Sequence, residues 1–188
     1  MFSTPGTGFL VSAIAGQATP PLFGFPSDFA AFSPQRLFTA VNSNVTDILF
    51  FVPGTTTPAT TSAFGAIFTD VEVAGLTKME FFDQSNTLIN SRDVLVSGNL
   101  GLSFLGAVAN AGEQISRVRV TSGLNTIVGN GQIGSPNDDV VVMDDFLYAE
   151  PATVSEPAAV PEPSTFVLTA LGLVGLGVVA LRKNYHRA

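Results

Sequence analysis

The chain has 188 residues, of which 46% are hydrophobic and only 12% charged, with 18 glycines, 12 prolines and no cysteine or tryptophan. This length holds one domain plus an appendage, the lack of cysteine excludes a disulfide framework or a thiolate site, and scarce Lys and Glu favour β structure over helices with wet, charged faces. All 15 acidic residues but only five basic ones (Arg36, Lys78, Arg92, Arg117, Arg119) precede the C-terminal apolar run, and the resulting charge of −10 excludes a nucleic-acid partner.

Met1 to Ala18 has a small apolar patch, Phe9 to Ala15, but no Lys or Arg ahead of it, and Pro5 interrupts its start. It is a poor secretory leader; it reads as the first strand region of a domain in a sequence that begins inside a longer protein. From residue 19 to 34, Pro20, Pro21, Pro26 and Pro34 exclude regular ladders, which predicts an extended loop that tucks phenylalanines inward.

A strand is expected near Arg36 to Val41. Asn44 to Val52 alternates, with Thr46, Ile48, Phe50 and Val52 on one face and Val45, Asp47, Leu49 and Phe51 on the other; both faces are largely apolar, which predicts a central strand. After the Thr/Pro/Gly loop of residues 53–61, Ala63 to Val71 is the next strand. Lys78 to Phe82 turns Met79 and Phe81 inward, Asp83 to Asn86 is an Asx-type turn, and Thr87 to Ile89 returns as its hairpin partner. Val94 to Val96, Leu100 to Ala109, Gln114 to Thr121 and Asp139 to Tyr148 supply the remaining candidates. In Gln114 to Thr121, Val118 and Val120 face one way and Arg117 and Arg119 the other, as in a sheet with one wet side.

Seven to nine short strands without an amphipathic helix define the expected fold class: mainly β, an antiparallel jelly-roll-like β-sandwich over residues 19–150. The only histidine, His186, lies beyond the apolar run, which removes a Ser-His-Asp triad and a His-ligated zinc from the domain. Glycosidase-type carboxylates are the remaining catalytic arrangement, if Asp70, Glu72, Asp144 and Asp145 converge. Asp138, Asp139, Asp144 and Asp145 are four carboxylates within eight positions, the candidate ligands of a structural Ca²⁺. In a regular strand Asp144 and Asp145 point to opposite faces, so one must face the core and needs a cation, an arginine (Arg117 or Arg119) or backbone N–H donors.

Residues 151–160, with Pro151 and Pro157 among Ala, Thr and Ser, read as a semi-rigid linker. Val160-Pro161-Glu162-Pro163 follows, then Ser164 and Thr165, then an uncharged apolar run from Phe166 to Leu181. As a helix over 164–181 this run is a short membrane span. The basic end at 182–187, with Arg182, Lys183 and Arg187, stays cytoplasmic by the positive-inside rule and leaves the acidic domain outside.

The order Pro-Glu-Pro, short apolar helix, basic end over residues 161–188 resembles the PEP-CTERM sorting signal of Gram-negative bacteria. The resemblance implies an exosortase as processing partner, retention in the inner membrane, and later release or attachment at the cell surface. The stretches Ala66 to Val73 and Val140 to Tyr148 are also similar to the β domain often found ahead of such tails.

The expected function is that of an exported, non-enzymatic β-sandwich with a structural or adhesive role in the envelope or the exopolysaccharide matrix, without a cofactor other than the candidate Ca²⁺. The alternatives are a carbohydrate-binding or carbohydrate-degrading module on the same scaffold, or a single-pass membrane protein whose tail is never cut.

Overall fold

The structure is a computed structural model that describes residues 1–12, 29–33, 36–128 and 139–153. These contain ten strands: β1 (Phe2–Ser3), β2 (Gly8–Val11), β3 (Phe38–Val41), β4 (Val45–Leu49), β5 (Ala63–Thr69), β6 (Lys78–Phe82), β7 (Leu88–Asp93), β8 (Leu102–Val108), β9 (Arg117–Thr121) and β10 (Val142–Tyr148). They form two five-stranded sheets, ordered β1-β4-β9-β6-β7 and β2-β3-β10-β5-β8. Every strand pair within them is antiparallel.

Alternation along the strands builds the layer between the sheets. Thr46 and Ile48 on β4, Met79 and Phe81 on β6, and Val118 and Val120 on β9 are buried, while their neighbours are half-exposed. All of these but Thr46 meet Phe64, Ala66 and Phe68 of β5 and Met143 of β10 in one hydrophobic cluster. Burial of such side chains stabilises by about 1.5–3 kcal/mol each. The β6–β7 hairpin turns where Asp83 Oδ1 accepts the Thr87 N–H at 2.8 Å, the expected Asx chemistry.

The β2-containing sheet carries a second, smaller core on its other face. Phe29, Leu37, Ile127, Val140 and Val142 pack together there, with Leu10 and Ala31 against them. The 29–33 segment is fastened down by the Ala30 N–H, which donates to Thr69 Oγ1 at 3.0 Å. This explains why Val140 to Met143 is apolar at every position: that stretch is covered on both faces.

Several expectations change in the folded chain. Val94 to Val96 is a crossover between the edges of the two sheets: Val94 is buried and donates to Thr77 O at 2.8 Å, whereas Leu95 and Val96 are exposed. An apolar triplet reads as a strand, but among the described residues no strand pairs with Leu95 or Val96. The strand expected at Asn44 to Val52 is shorter, Val45–Leu49, and has one partly wet face, because only one face of its sheet packs against the other sheet while Val45, Asp47 and Leu49 point outward. The first-strand reading of residues 1–18 corresponds to β1 and β2 over residues 2–11, and residues 13–18 lie outside the described residues. Most of the 19–34 loop is likewise outside them.

At the other end, Thr60 and Ala152 exchange both backbone hydrogen bonds at 3.0 Å, so the first residues of the 151–160 linker remain joined to the domain. The unit built by the strands runs from Met1 to Thr153. The rest of the linker, the Pro-Glu-Pro motif, the 164–181 helix and the 182–187 basic end lie outside the described residues. Among the described residues no helix is long and apolar enough to cross a membrane.

Candidate functional site

The acidic residues near the start of β10 do not point where regular alternation would send them. Between Met143, paired with Phe68, and Phe146, paired with Ala66, the register shifts: three steps on β10 match two on β5. This bulge adds one residue and re-aims the side chains around it. Asp144 Oδ2 accepts the Phe32 N–H at 2.6 Å, and the Ser33 hydroxyl reaches both Asp144 Oδ1, at 3.4 Å, and Asp145 Oδ1, at 3.2 Å. Both carboxylates therefore meet the 29–33 segment, and Asp144, the buried one of the two, has backbone N–H donors, one of the solutions that the sequence left open. Burial raises the Asp144 pKa, opposed by the Phe32 and Ser33 N–H donors.

Asp139 has a different neighbourhood. Its Oδ1 accepts the Glu72 N–H at 2.9 Å, while Oδ2 is buried without a hydrogen-bond partner, and burial raises its pKa. Asp70 accepts the Leu100 N–H at 3.1 Å, and Glu72 is exposed. Thus Asp144 and Asp145 meet at Ser33, while Asp70 meets the Leu100 N–H and Glu72 faces solvent. Asp138 lies outside the described residues, and among those described no group of three or more His, Cys, Asp or Glu side chains is arranged to hold a metal ion.

Arg117 and Arg119 have a partner that sequence reading missed. Asp47, opposite Arg119 in the β4–β9 register, accepts from Arg117 Nη1 at 2.9 Å and from Arg119 Nε and Nη2 at 2.9 and 2.8 Å. Burial pushes the Asp47 pKa up, but the two guanidinium groups outweigh it and hold the carboxyl below its ordinary value. Arg117 also lies over the Phe82 ring at 3.7 Å. The only sequence signal was the shared outward face of Asp47, Arg117 and Arg119. It becomes a contact once β4 and β9 are known to be neighbours.

A cleft of about 540 Å³ opens at one end of the sandwich. Its wall includes Phe50, Phe64, Phe146 and Tyr148; the 51–55 loop lies on one side, with Glu150 and Pro151 on another. Phe50 contacts Phe64 and Tyr148 at ring-centroid distances of 5.9 and 6.5 Å. Tyr148 is 60% exposed, so an aromatic face and a hydroxyl are available beside the Glu150 carboxylate. These residues come from three separate stretches of chain, which no local motif connects.

Fold and site together define a mainly β, two-sheet sandwich-like protein with an acidic surface and an aromatic cleft at one end. The family signal lies in the tail: residues 159–183 match the family model of the PEP-CTERM protein-sorting motif. That match includes Val160 to Pro163, the apolar run from Phe166 to Leu181, and Arg182 and Lys183. The chain therefore carries a PEP-CTERM sorting signal, which implies an exported, exosortase-processed protein. No curated protein and no solved structure matches the chain.

Proposed function

We propose that this chain is a non-enzymatic jelly-roll protein that works at the cell surface or in the exopolysaccharide matrix as a structural or adhesive component. The jelly-roll reading rests on strand order: β3-β10-β5-β8 face β4-β9-β6-β7, with β1 and β2 each extending one sheet. In this reading the 164–181 helix holds the protein in the inner membrane with its N-terminus outside. Exosortase then cuts near Pro161-Glu162-Pro163, and the β domain reaches the surface.

The observation that carries the proposal is the sorting motif at residues 159–183, directly after an acidic β domain. The test replaces Pro161, Glu162 and Pro163 with alanine in cells that possess an exosortase. Full-length variant should accumulate in the inner membrane while the wild type appears as a shortened surface or secreted form. If the wild type also stays intact in the inner membrane, the tail is an ordinary anchor.

The aromatic cleft favours a second reading, carbohydrate binding, because Tyr148 offers a stacking face and Glu150 an acceptor. Micromolar binding to one sugar class on a glycan array, abolished by Tyr148→Ala, supports it; no binding to any glycan removes it. For Ca²⁺, the support is narrower than the four aspartates first considered. It rests on the unpartnered Asp139 Oδ2. Calorimetry at millimolar Ca²⁺ with neither heat nor a rise in Tm removes that proposal.

A further inference from the structure

Four strand edges bound the two sheets, and three of them resist pairing with another chain. β1 has two residues and β2 has four, while β7 ends in Arg92 and Asp93. Short or charged edges are the usual protection against intermolecular sheet growth. β8 has no such protection: it is seven residues, Leu-Ser-Phe-Leu-Gly-Ala-Val, at the edge of its sheet. From Val94 to Gly112 the sequence contains no charged residue at all.

Register identifies which backbone groups on that edge are open. Ala109 N–H donates to Ser62 O, and Asp70 N–H to Gly101 O. By antiparallel alternation, the odd-numbered residues of β8 therefore bond to β5, and Leu102, Phe104, Gly106 and Val108 aim their N–H and C=O groups away from it. No other described strand lies on that side. The same residues carry their side chains outward, Leu102 at 41%, Phe104 at 59% and Val108 at 73% exposure. The 29–33 cover rests over Thr69 and Asp144 and the small core beneath them.

We infer that β8 pairs antiparallel with β8 of a second copy of this chain, so that the two sheets join into one across a two-fold axis at Leu105. In that register Leu102 faces the partner's Val108, and Phe104 faces the partner's Gly106. Every open group on β8 then finds a partner, and the symmetry is the isologous kind that closes at two copies. Each Phe104 ring already lies over glycines of its own chain, so across the pair the two Phe104 rings come together rather than a ring and a bare glycine. A Cβ added to Gly65 or Gly106 would lie 2.8 or 2.9 Å from Phe104 Cζ, so the ring covers both glycines.

Charge marks the β8 stretch as the place where a second copy can come close. The body carries −10, and two copies repel wherever their acidic surfaces meet. The uncharged 94–112 stretch is where they can approach without that repulsion.

The test uses the full chain in nonionic detergent micelles, with sedimentation equilibrium reporting protein mass. The wild type is expected to form dimers, and Val108→Lys, at an exposed position that tolerates lysine in the monomer, should weaken them at least about tenfold. Because the chain has no cysteine, introduced ones report register. Leu102→Cys with Val108→Cys should oxidise to a linked dimer, since directly opposed residues have Cα atoms about 5.5 Å apart. Within one chain these two positions are about 20 Å apart and cannot join, and either single variant should crosslink at least about tenfold less. A monomeric wild type, a dimer unaffected by Val108→Lys, or single-cysteine variants that crosslink as well as the double one would each overturn the inference.

Discussion

Asp47 and Asp144 are both partly withdrawn from water, yet their effects on stability have opposite signs. The Asp47 pKa lies below 3.8 in the fold because two arginines outweigh the burial that raises it. Its contribution is therefore fully present above about pH 3.8 and is lost as pH falls through the lower folded value. Asp47→Asn should cost about 1–3 kcal/mol at pH 7, and urea denaturation should show the gap to wild type closing as the wild-type carboxylate protonates. The Asp144 pKa lies above 3.8, with burial the main cause. Its charge thus works against the fold at neutral pH, and this cost is relieved as pH falls through the folded pKa toward 3.8. Asp144→Asn keeps an oxygen for the Phe32 N–H and should be neutral or slightly stabilising at pH 7. Asp144→Ala leaves that donor unpaired and should cost about 1–3 kcal/mol; equal losses from both would show that the charge, not the acceptor, holds the segment.

At the scale of elements, junctions matter as much as strands. Gly123, just past β9, has φ of 63° and places its missing Cβ 2.4 Å from Asp139 O; Gly112 has φ of 93° with nothing within 4 Å. Both alanine variants incur the left-handed backbone penalty, but only Gly123→Ala also collides with main chain. Its loss should be about 2 kcal/mol or more and should exceed that of Gly112→Ala, measured by thermal unfolding side by side. The β10 bulge shows why such features escape a reading of alternation. One additional residue between Met143 and Phe146 breaks the period of two, and nothing in Val-Met-Asp-Asp-Phe announces it.

For the whole molecule, the strands and both cores lie within Met1 to Thr153, and Ala152 is the last residue seen joined to a strand-side neighbour. Residues 1–153 made without the tail should unfold in one cooperative transition in urea, followed by far-UV circular dichroism. A broad, non-cooperative melt would mean that the domain needs residues beyond 153 or ahead of Met1. The sheets also differ in character. One outer face carries the Asp47–Arg117–Arg119 network and the Lys78–Glu80 ion pair at 3.5 Å, whereas the other is apolar around Phe104 and Val108. That asymmetry directs association to one edge.

Sequence alone was enough wherever a property is local. The alternation of Met79 and Phe81 with Lys78 and Glu80, the Asp83 turn, and the order of motif, apolar run and basic end each lie within a few neighbouring residues, where strand period and solvent preference act directly. It also sufficed for the choice of mainly β structure, which follows from composition and turn spacing. Tertiary structure alone decided what depends on residues distant in the chain becoming neighbours. Asp47 finds Arg117 and Arg119 only because β4 lies beside β9, Asp144 finds Phe32 across 112 positions, and β8 is an edge only because the sheet ends there. Such outcomes follow from which of many antiparallel pairings buries the most apolar surface while satisfying the backbone, a competition over the whole chain that no short stretch encodes.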